Sequence, residues 1–192
     1  MPDKVTNVFI AGVGGQGILL ASEILAEVAL SHGLDVKKSE VHGMAQRGGS
    51  VVSHVRFGER VHSPVIAERE AELLVSFEKM EALRWIHYLA PDGTVVVNSQ
   101  EILPSGLEEY PEGLEKEIVA RVPGALFLDA LALANEAGHA RAVNIVMLGA
   151  FSNHLGFSEE DWKKAIEARV PKKTIDVNLK AFDLGRGATK RS

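Results

Sequence analysis

The sequence of 192 residues contains no cysteine. This absence excludes disulfides, thiolate metal ligands, iron–sulfur clusters held by this chain and a cysteine nucleophile. No apolar run reaches the roughly 18 residues that a membrane span needs, and the polar start at residues 1–4 is unlike a signal peptide. We therefore expect a cytoplasmic protein that does not bind a membrane. The formal net charge of −5 argues against nucleic-acid binding.

Several patterns typical of catalytic or metal sites are also missing. His42, His54 and His62 lack the HxH or HExxH spacing of a zinc site, so we expect no metal on this chain. Ser50 and Ser53 lack a nucleophile elbow, which argues against hydrolase chemistry. His54 lies in a predicted strand, where a packed or surface histidine is the common case. We predict no catalytic residue for the chain on its own.

Strand-like and helix-like segments alternate along the chain. The patterns predict strands over residues 5–11, 34–39, 50–57, 71–77, 94–98 and 125–129. They predict helices over residues 16–32, 78–89, 130–137, 143–155 and 161–169, with a final helix running to about residue 182. This order indicates a three-layer α/β/α sandwich around a largely parallel, or mixed, sheet with a helical C-terminal part. We expect one domain over residues 1–185 and a disordered tail over residues 186–192.

A glycine-rich turn separates the first predicted strand from the first predicted helix. Its candidate ligand-binding residues are Gly12, Gly14, Gly15, Gln16 and Gly17. Glycines allow positive φ angles and close approach of a ligand, and the first turn of a helix attracts phosphate or carboxylate. The alternative is that these glycines serve only a tight strand-to-helix crossing.

A second unusual loop, residues 40–49, connects two predicted strands. Its candidate binding residues are His42, Gln46, Arg47, Gly48 and Gly49. The guanidinium of Arg47 can form paired hydrogen bonds with a phosphate or carboxylate. Because loops at the carboxyl ends of neighbouring strands meet at one edge of an α/β sheet, we expect this loop to lie near the glycine-rich turn.

Two other interpretations of these loops stay open. Arg47 can pair with an internal acid such as Glu40, in which case the loop glycines serve backbone geometry alone. The second interpretation is a dinucleotide site. Glu40 follows Gly17 by 23 residues, which is close to the spacing of the ribose-binding acid in the dinucleotide-binding fold. Lys37 and Lys38 precede Glu40 and disfavour that site.

Four segments together resemble the γ-type subunit, or domain, of 2-oxoacid:ferredoxin oxidoreductases. The first two are AGVGGQG at residues 11–17 and EVHGMAQRGGSVVSHVR at residues 40–56. The others, AVNIVMLGAFSNHLGF at 142–157 and VNLKAFDLG at 177–185, extend the likeness over nearly the whole chain. Part of the second segment, with the sequence HGMAQRGG, most resembles the small (β) subunit of indolepyruvate ferredoxin oxidoreductase. Asn144 and Asn178 lie in the last two segments, where each can cap a helix or contact a ligand.

The resemblance implies a subunit of an enzyme that oxidatively decarboxylates an aryl pyruvate to an acyl-CoA and CO2 and reduces ferredoxin. Thiamine diphosphate, magnesium and iron–sulfur clusters are then expected on the large (α) partner subunit, and this chain is not expected to be active alone. The glycine-rich turn and Arg47 become candidate contacts for the phosphates of CoA. A homodimer contact within the complex is left open. The alternatives are a stand-alone Rossmann-like nucleotide- or dinucleotide-binding oxidoreductase and a CoA-binding regulatory module.

Overall fold

A computed structural model describes residues 4–43, 49–104 and 106–189. In these ranges the strands are β1 (Thr6–Val13), β2 (Asp35–His42), β3 (Ser50–Gly58), β4 (Ala71–Ser76), β5 (Leu89–Asn98) and β6 (Leu126–Leu128). The helices are α1 (Ile18–Ser31), α2 (Lys79–Trp85), α3 (Leu114–Arg121), α4 (Ala130–Ala137), α5 (Val143–Ser152), α6 (Glu159–Arg169) and α7 (Ile175–Thr189). Short 3₁₀ turns follow α2 and precede α5 and α7, at Ile86–Tyr88, Ala140–Ala142 and Lys172–Thr174. None of these helices has the length and apolar character that crossing a bilayer would require.

The strands form one mixed sheet in the order β2-β3-β1-β4-β5-β6. Strands β1, β4, β5 and β6 are parallel to their neighbours in this series, whereas β3 is antiparallel to both β1 and β2. The carboxyl ends of five strands and the amino end of β3 therefore meet at one edge. Helix α1 and the C-terminal helices pack on one face, and α2 and α3 pack on the other. The predicted α/β/α sandwich with a mixed sheet is confirmed.

The structure differs from the sequence prediction at three places. The predicted turn at residues 91–93 lies inside β5, because β5 bulges against β4 between the pairs Ala71–Leu89 and Leu73–Thr94. Helix α3 was not predicted. Helix α7 continues to Thr189, so the prediction of a disordered tail is wrong for residues 186–189, and residues 190–192 lie outside the described residues. The single domain over residues 1–185 stays a prediction.

Side-chain hydrogen bonds explain why α7 continues past its predicted end. The hydroxyl of Thr189 donates to the carbonyl of Ala150 in α5 at 2.8 Å and accepts from the amide of Asn153 at 3.0 Å. The same amide donates to the carbonyl of Arg186 at 2.8 Å. These contacts join residues more than 30 positions apart, so the local composition of a small, basic segment did not reveal them.

The crossing of α5 and α7 is tight because two glycines face the partner backbone. A Cβ atom on Gly149 would lie 2.1 Å from the carbonyl oxygen of Phe182, and one on Gly185 would lie 2.0 Å from that of Val146. Real Cβ atoms do not approach oxygen so closely, so both positions need glycine. This crossing fixes α7 on α5, the helix that carries Asn144 near its start.

We predict that Gly149→Ala lowers the free energy of unfolding by about 2–3 kcal/mol or more, because the new methyl group forces the helices apart. Gly187→Ala in α7 is the matched control, since a Cβ there meets nothing within 4 Å. The control should leave stability unchanged or raise it by up to about 1 kcal/mol. Urea denaturation of the isolated variants measures both effects, and equal stability of the two would contradict the tight crossing.

Candidate functional site

The glycine-rich turn carries the chain from the end of β1 into α1. Gly15 and Gly17 have φ angles of +99° and +78°, in the left-handed region that favours glycine. Gly17 is the N-cap of α1, so no side chain caps this helix, and its first turn contains no acidic residue. Backbone N–H groups and the positive end of the helix dipole are therefore left to attract an anion.

Gln16 is the side chain that holds this turn in place. Its Oε1 accepts a hydrogen bond from the backbone N–H of Val13, at the end of β1, at 2.7 Å. Its Nε2 donates to the carbonyl of Phe77, just after β4, at 2.8 Å and to Oε1 of Gln100, just after β5, at 3.1 Å. Gln16 thus spans the crevice between β1 and β4, where the helices change from one face of the sheet to the other.

Gly12 serves the same construction from inside β1. A Cβ atom there would lie 2.7 Å from Oε1 of Gln16 and 2.8 Å from side-chain atoms of Ile18 and Phe77. Gly12 therefore makes room for the Gln16 side chain, and the structure gives it a packing role. Gly14 and Gly15 are less crowded, since a Cβ on Gly14 would meet atoms only at 3.7 Å or more and one on Gly15 would meet none within 4 Å.

The structure brings the second loop beside the glycine-rich turn. The N–H of Gly14 donates to the carbonyl of Gly49 at 2.9 Å, and the N–H of Gly43 donates to that of Ser50 at 2.8 Å. A cleft of about 380 Å³ lies between the two loops and is lined by Val13, Gly14, Gly15, Gly17, Ile18, Leu19, His42 and Val51. Of the remaining predicted residues, Gln46, Arg47 and Gly48 lie outside the described residues.

The strand order disfavours a dinucleotide site. In the dinucleotide-binding fold the second strand lies next to the first, so its terminal acid reaches the ribose. Here β3 separates β2 from β1, which places the two strands roughly 10 Å apart. Glu40, the candidate acid, also forms an ion pair with Lys38 at 2.6 Å, with each side chain about a quarter exposed.

Sequence reasoning missed a buried carboxylate that braces the start of β3. Glu81 in α2 is only 5% exposed, and its Oε2 accepts hydrogen bonds from the hydroxyl of Ser50 and from Nε1 of Trp85, the latter at 3.0 Å. Its Oε1 accepts from Nε of Arg84 at 3.0 Å. Glu81 therefore anchors the residue at which β3 begins, directly after the second loop. Its only sequence signal is an acid in a helix whose other face is apolar.

A second buried carboxylate, Glu78, begins α2 at the same edge of the sheet. It is 1% exposed and accepts from the N–H of Glu81 at 3.0 Å, so it caps the helix. The hydroxyl of Tyr110 donates to its other oxygen, and burial together with the Glu78 carboxylate raises the pKa of Tyr110. Tyr110 therefore stays protonated and keeps donating at neutral pH.

His54 belongs to the core, as expected for a histidine within a strand. It is 6% exposed and packs edge-on against the ring of Phe9, with ring centroids 4.7 Å apart. Its Nδ1 accepts from the N–H of Ile66 at 3.1 Å. Burial, and secondarily the charge of Arg56, lowers the pKa of His54, so the ring is neutral. Within the described ranges, no three His, Asp or Glu side chains are grouped so that they could hold a metal ion.

Nearly the whole chain is similar to proteins of known family. Residues 7–188 match the pyruvate ferredoxin/flavodoxin oxidoreductase family. The chain is 47% identical to indolepyruvate oxidoreductase subunit IorB of Thermococcus kodakarensis over 97% of either sequence. It is similar to the γ subunit of a keto/oxoacid ferredoxin oxidoreductase from Geobacter sulfurreducens, with 25% identity, a TM-score of 0.71, and coverage of 96% of this chain and 98% of the other.

A longer polypeptide contains the same fold. The 2-oxoglutarate:ferredoxin oxidoreductase of Magnetococcus marinus, solved with 2-oxoglutarate, coenzyme A and succinyl-CoA bound, matches 97% of this chain with 31% of its own length. The TM-score is 0.75 and the identity 21%, so this likeness concerns the fold alone.

We predict that Gln16→Glu lowers the free energy of unfolding by about 2–3 kcal/mol, because a carboxylate cannot donate to Phe77 or Gln100. The matched control is Gln100→Glu, which keeps the acceptor oxygen that faces Gln16 and should change stability by less than about 1 kcal/mol. Urea denaturation at pH 7 compares the two. Equal losses from both variants would show that Gln16 does not hold the turn.

Proposed function

Because the chain belongs to the pyruvate ferredoxin/flavodoxin oxidoreductase family, we propose that it serves an enzyme of the indolepyruvate type. It is the small subunit of a 2-oxoacid:ferredoxin oxidoreductase, an enzyme that acts on oxo acids with ferredoxin as electron acceptor. The observation that carries the choice of substrate is the 47% identity, over 97% of both sequences, with an indolepyruvate oxidoreductase subunit. The reaction is oxidative decarboxylation of an aryl pyruvate with CoA to an acyl-CoA and CO2.

The redox cofactors of this reaction belong to the large subunit in our proposal. The chain contains no cysteine to ligate an iron–sulfur cluster. Among its described residues, no three His, Cys, Asp or Glu side chains are grouped so that they could hold a metal ion. Thiamine diphosphate, magnesium and the clusters are therefore assigned to the partner. Ferredoxin meets the complex through that partner, in the cytoplasm.

The contribution of this chain is one wall of the CoA site. The first turn of α1 offers backbone N–H groups that no side chain caps, at the edge of a cleft that is large enough for a phosphate-bearing group. Gly14, Gly15 and Gly17 let the ligand approach the backbone, while Gln16 positions the turn. His42 lines the same cleft.

The remaining candidate contacts come from the second loop. We assign Gln46, Arg47, Gly48 and Gly49 to the same site, because Gly49 is hydrogen-bonded to the glycine-rich turn. In this arrangement Arg47 binds a phosphate of CoA through its guanidinium. A CoA-binding regulatory module is the competing function, and it would bind CoA without supporting turnover of a 2-oxoacid.

We predict that the large subunit of the enzyme reduces ferredoxin with indolepyruvate and CoA only after this chain is added. The physical reason is that the CoA site is incomplete without the wall formed by the glycine-rich turn. A spectrophotometric assay of ferredoxin reduction with each subunit alone and with both together measures this. Full activity of the large subunit alone would contradict the proposed function, and CoA binding without turnover would favour the regulatory module.

We predict that Arg47→Ala raises the KM for CoA about 10- to 100-fold in the reconstituted complex and changes the KM for indolepyruvate little. This is the expected effect of losing a charge-assisted hydrogen bond to phosphate. Arg121→Ala is the matched control, because Arg121 ends α3 at the opposite edge of the sheet and pairs only with Glu117 among the described residues. An unchanged KM for CoA in Arg47→Ala would remove this residue from the site.

A further inference from the structure

The edge strand β2 has a neighbouring strand on one side only. It ends the sheet order, and all eight of its residues pair with β3. At the opposite end of the sheet, the edge strand β6 has only three residues. A long edge strand presents a row of free N–H and C=O groups with which another strand can pair, whereas a very short one does not. Within the described sheet, β2 is therefore the edge that a further strand can extend.

Charged side chains restrict which strand can pair with this edge. Lys38 and Glu40 lie on the α1 side of the sheet, where they form an ion pair at 2.6 Å and Nζ of Lys38 lies 3.4 Å from the hydroxyl of Ser22 in α1. On the other face, Lys37 pairs with Asp35. Lysines on an edge strand normally prevent pairing with other strands. Only a strand that places carboxylates opposite the lysines fits this edge.

A second copy of β2 is such a strand. Two copies related by a two-fold axis perpendicular to the sheet run antiparallel, and the axis passes through one residue because opposite residues point to the same face. We consider the registers that align five or more of the eight residues. An axis at Lys37, Lys38 or Glu40 puts that residue opposite the same charge in the second copy. The axis at Ser39 is the one that avoids this repulsion.

With the axis at Ser39, Lys38 of each copy lies opposite Glu40 of the other. Together with the ion pair inside each copy, these contacts complete a square of alternating charges. On the other face, Lys37 lies opposite Val41, which is 56% exposed in the single chain, so the methylene groups of Lys37 cover it. Opposite charges across neighbouring strands are stabilising and like charges are destabilising, so charge selects this one register.

We propose that β2 is a self-association surface, through which two copies of this chain join their sheets antiparallel about Ser39. The product is a continuous sheet of twelve strands, six from each copy. The observation that carries the choice of occupant is that the charges of β2 are complementary to those of the same strand reversed. The proposal does not rest on the proposed function, which stands whether or not the copies associate.

The first test measures association of the full chain by analytical ultracentrifugation. The wild type should sediment at twice the chain mass of 20.7 kDa at micromolar concentration. Lys38→Glu and Glu40→Lys, each alone, should raise the Kd of the dimer about 10- to 100-fold, because two like-charge contacts replace two favourable ones. Lys164→Glu is the matched control, since it breaks an exposed ion pair with Glu160 in α6 and should leave the Kd unchanged.

A mixture of the two variants separates association from any effect on folding. In the mixture, Lys38→Glu and Glu40→Lys chains should pair with each other at least as tightly as wild-type copies do, because each brings two like charges that the other neutralises. A monomeric wild type would overturn the proposal. So would a dimer that Lys38→Glu leaves intact, or a mixture that stays monomeric. Protection of β2 from hydrogen exchange by the large subunit, with this chain monomeric, would assign the edge to a strand of that subunit instead.

The second test measures the register. The chain contains no cysteine, so Ser39→Cys introduces a single thiol. In the proposed register the two thiols face each other across the axis, with Cβ atoms about 5 Å apart, and a short bismaleimide should link the copies. Ser31→Cys, at the exposed end of α1, is the control and should stay unlinked. Equal linking of both variants, or none at Ser39→Cys, would overturn the register.

Discussion

The side-chain amide of Gln16 joins three segments that leave the sheet at the same edge. It accepts from the end of β1 and donates to the segments that follow β4 and β5. This edge is the point where α1 and α2 go to opposite faces of the sheet, and Gln16 spans the crevice that lies there between β1 and β4. Gly12 exists as glycine because the amide needs its space. The turn is thus held from inside the protein, and its outer backbone remains available.

At this edge of the sheet, some polar groups form hydrogen bonds with other protein groups, whereas others have no side-chain partner. Glu78, Glu81 and Gln16 are fully engaged with protein donors or acceptors, and they brace α2, β3 and the glycine-rich turn. By contrast, no side chain caps the N–H groups at the start of α1. The first turn of α1 contains no acidic residue either, so the start of this helix is where we propose that an anionic ligand binds.

The sequence predicted much of the fold, because strands such as β1 and helices such as α1 have strong local patterns and glycine boundaries. It did not predict α7 beyond Phe182 or the bulge in β5, since both depend on contacts between distant residues, such as Thr189 with Ala150 and Gly93 with Ala71. For the site, composition and motif placed both loops at one edge. Only the structure separated Gln16, which positions the turn, from the glycines that border the cleft.

Hydrogen–deuterium exchange of the reconstituted complex, with and without CoA, reports directly on the backbone N–H groups that we propose bind the ligand. We expect CoA to slow exchange at residues 14–20, around the start of α1, and to leave exchange at the opposite edge of the sheet, near residues 67–71, unchanged. Equal exchange at residues 14–20 in both states, under conditions where CoA is bound, would show that the glycine-rich turn is not a wall of the CoA site.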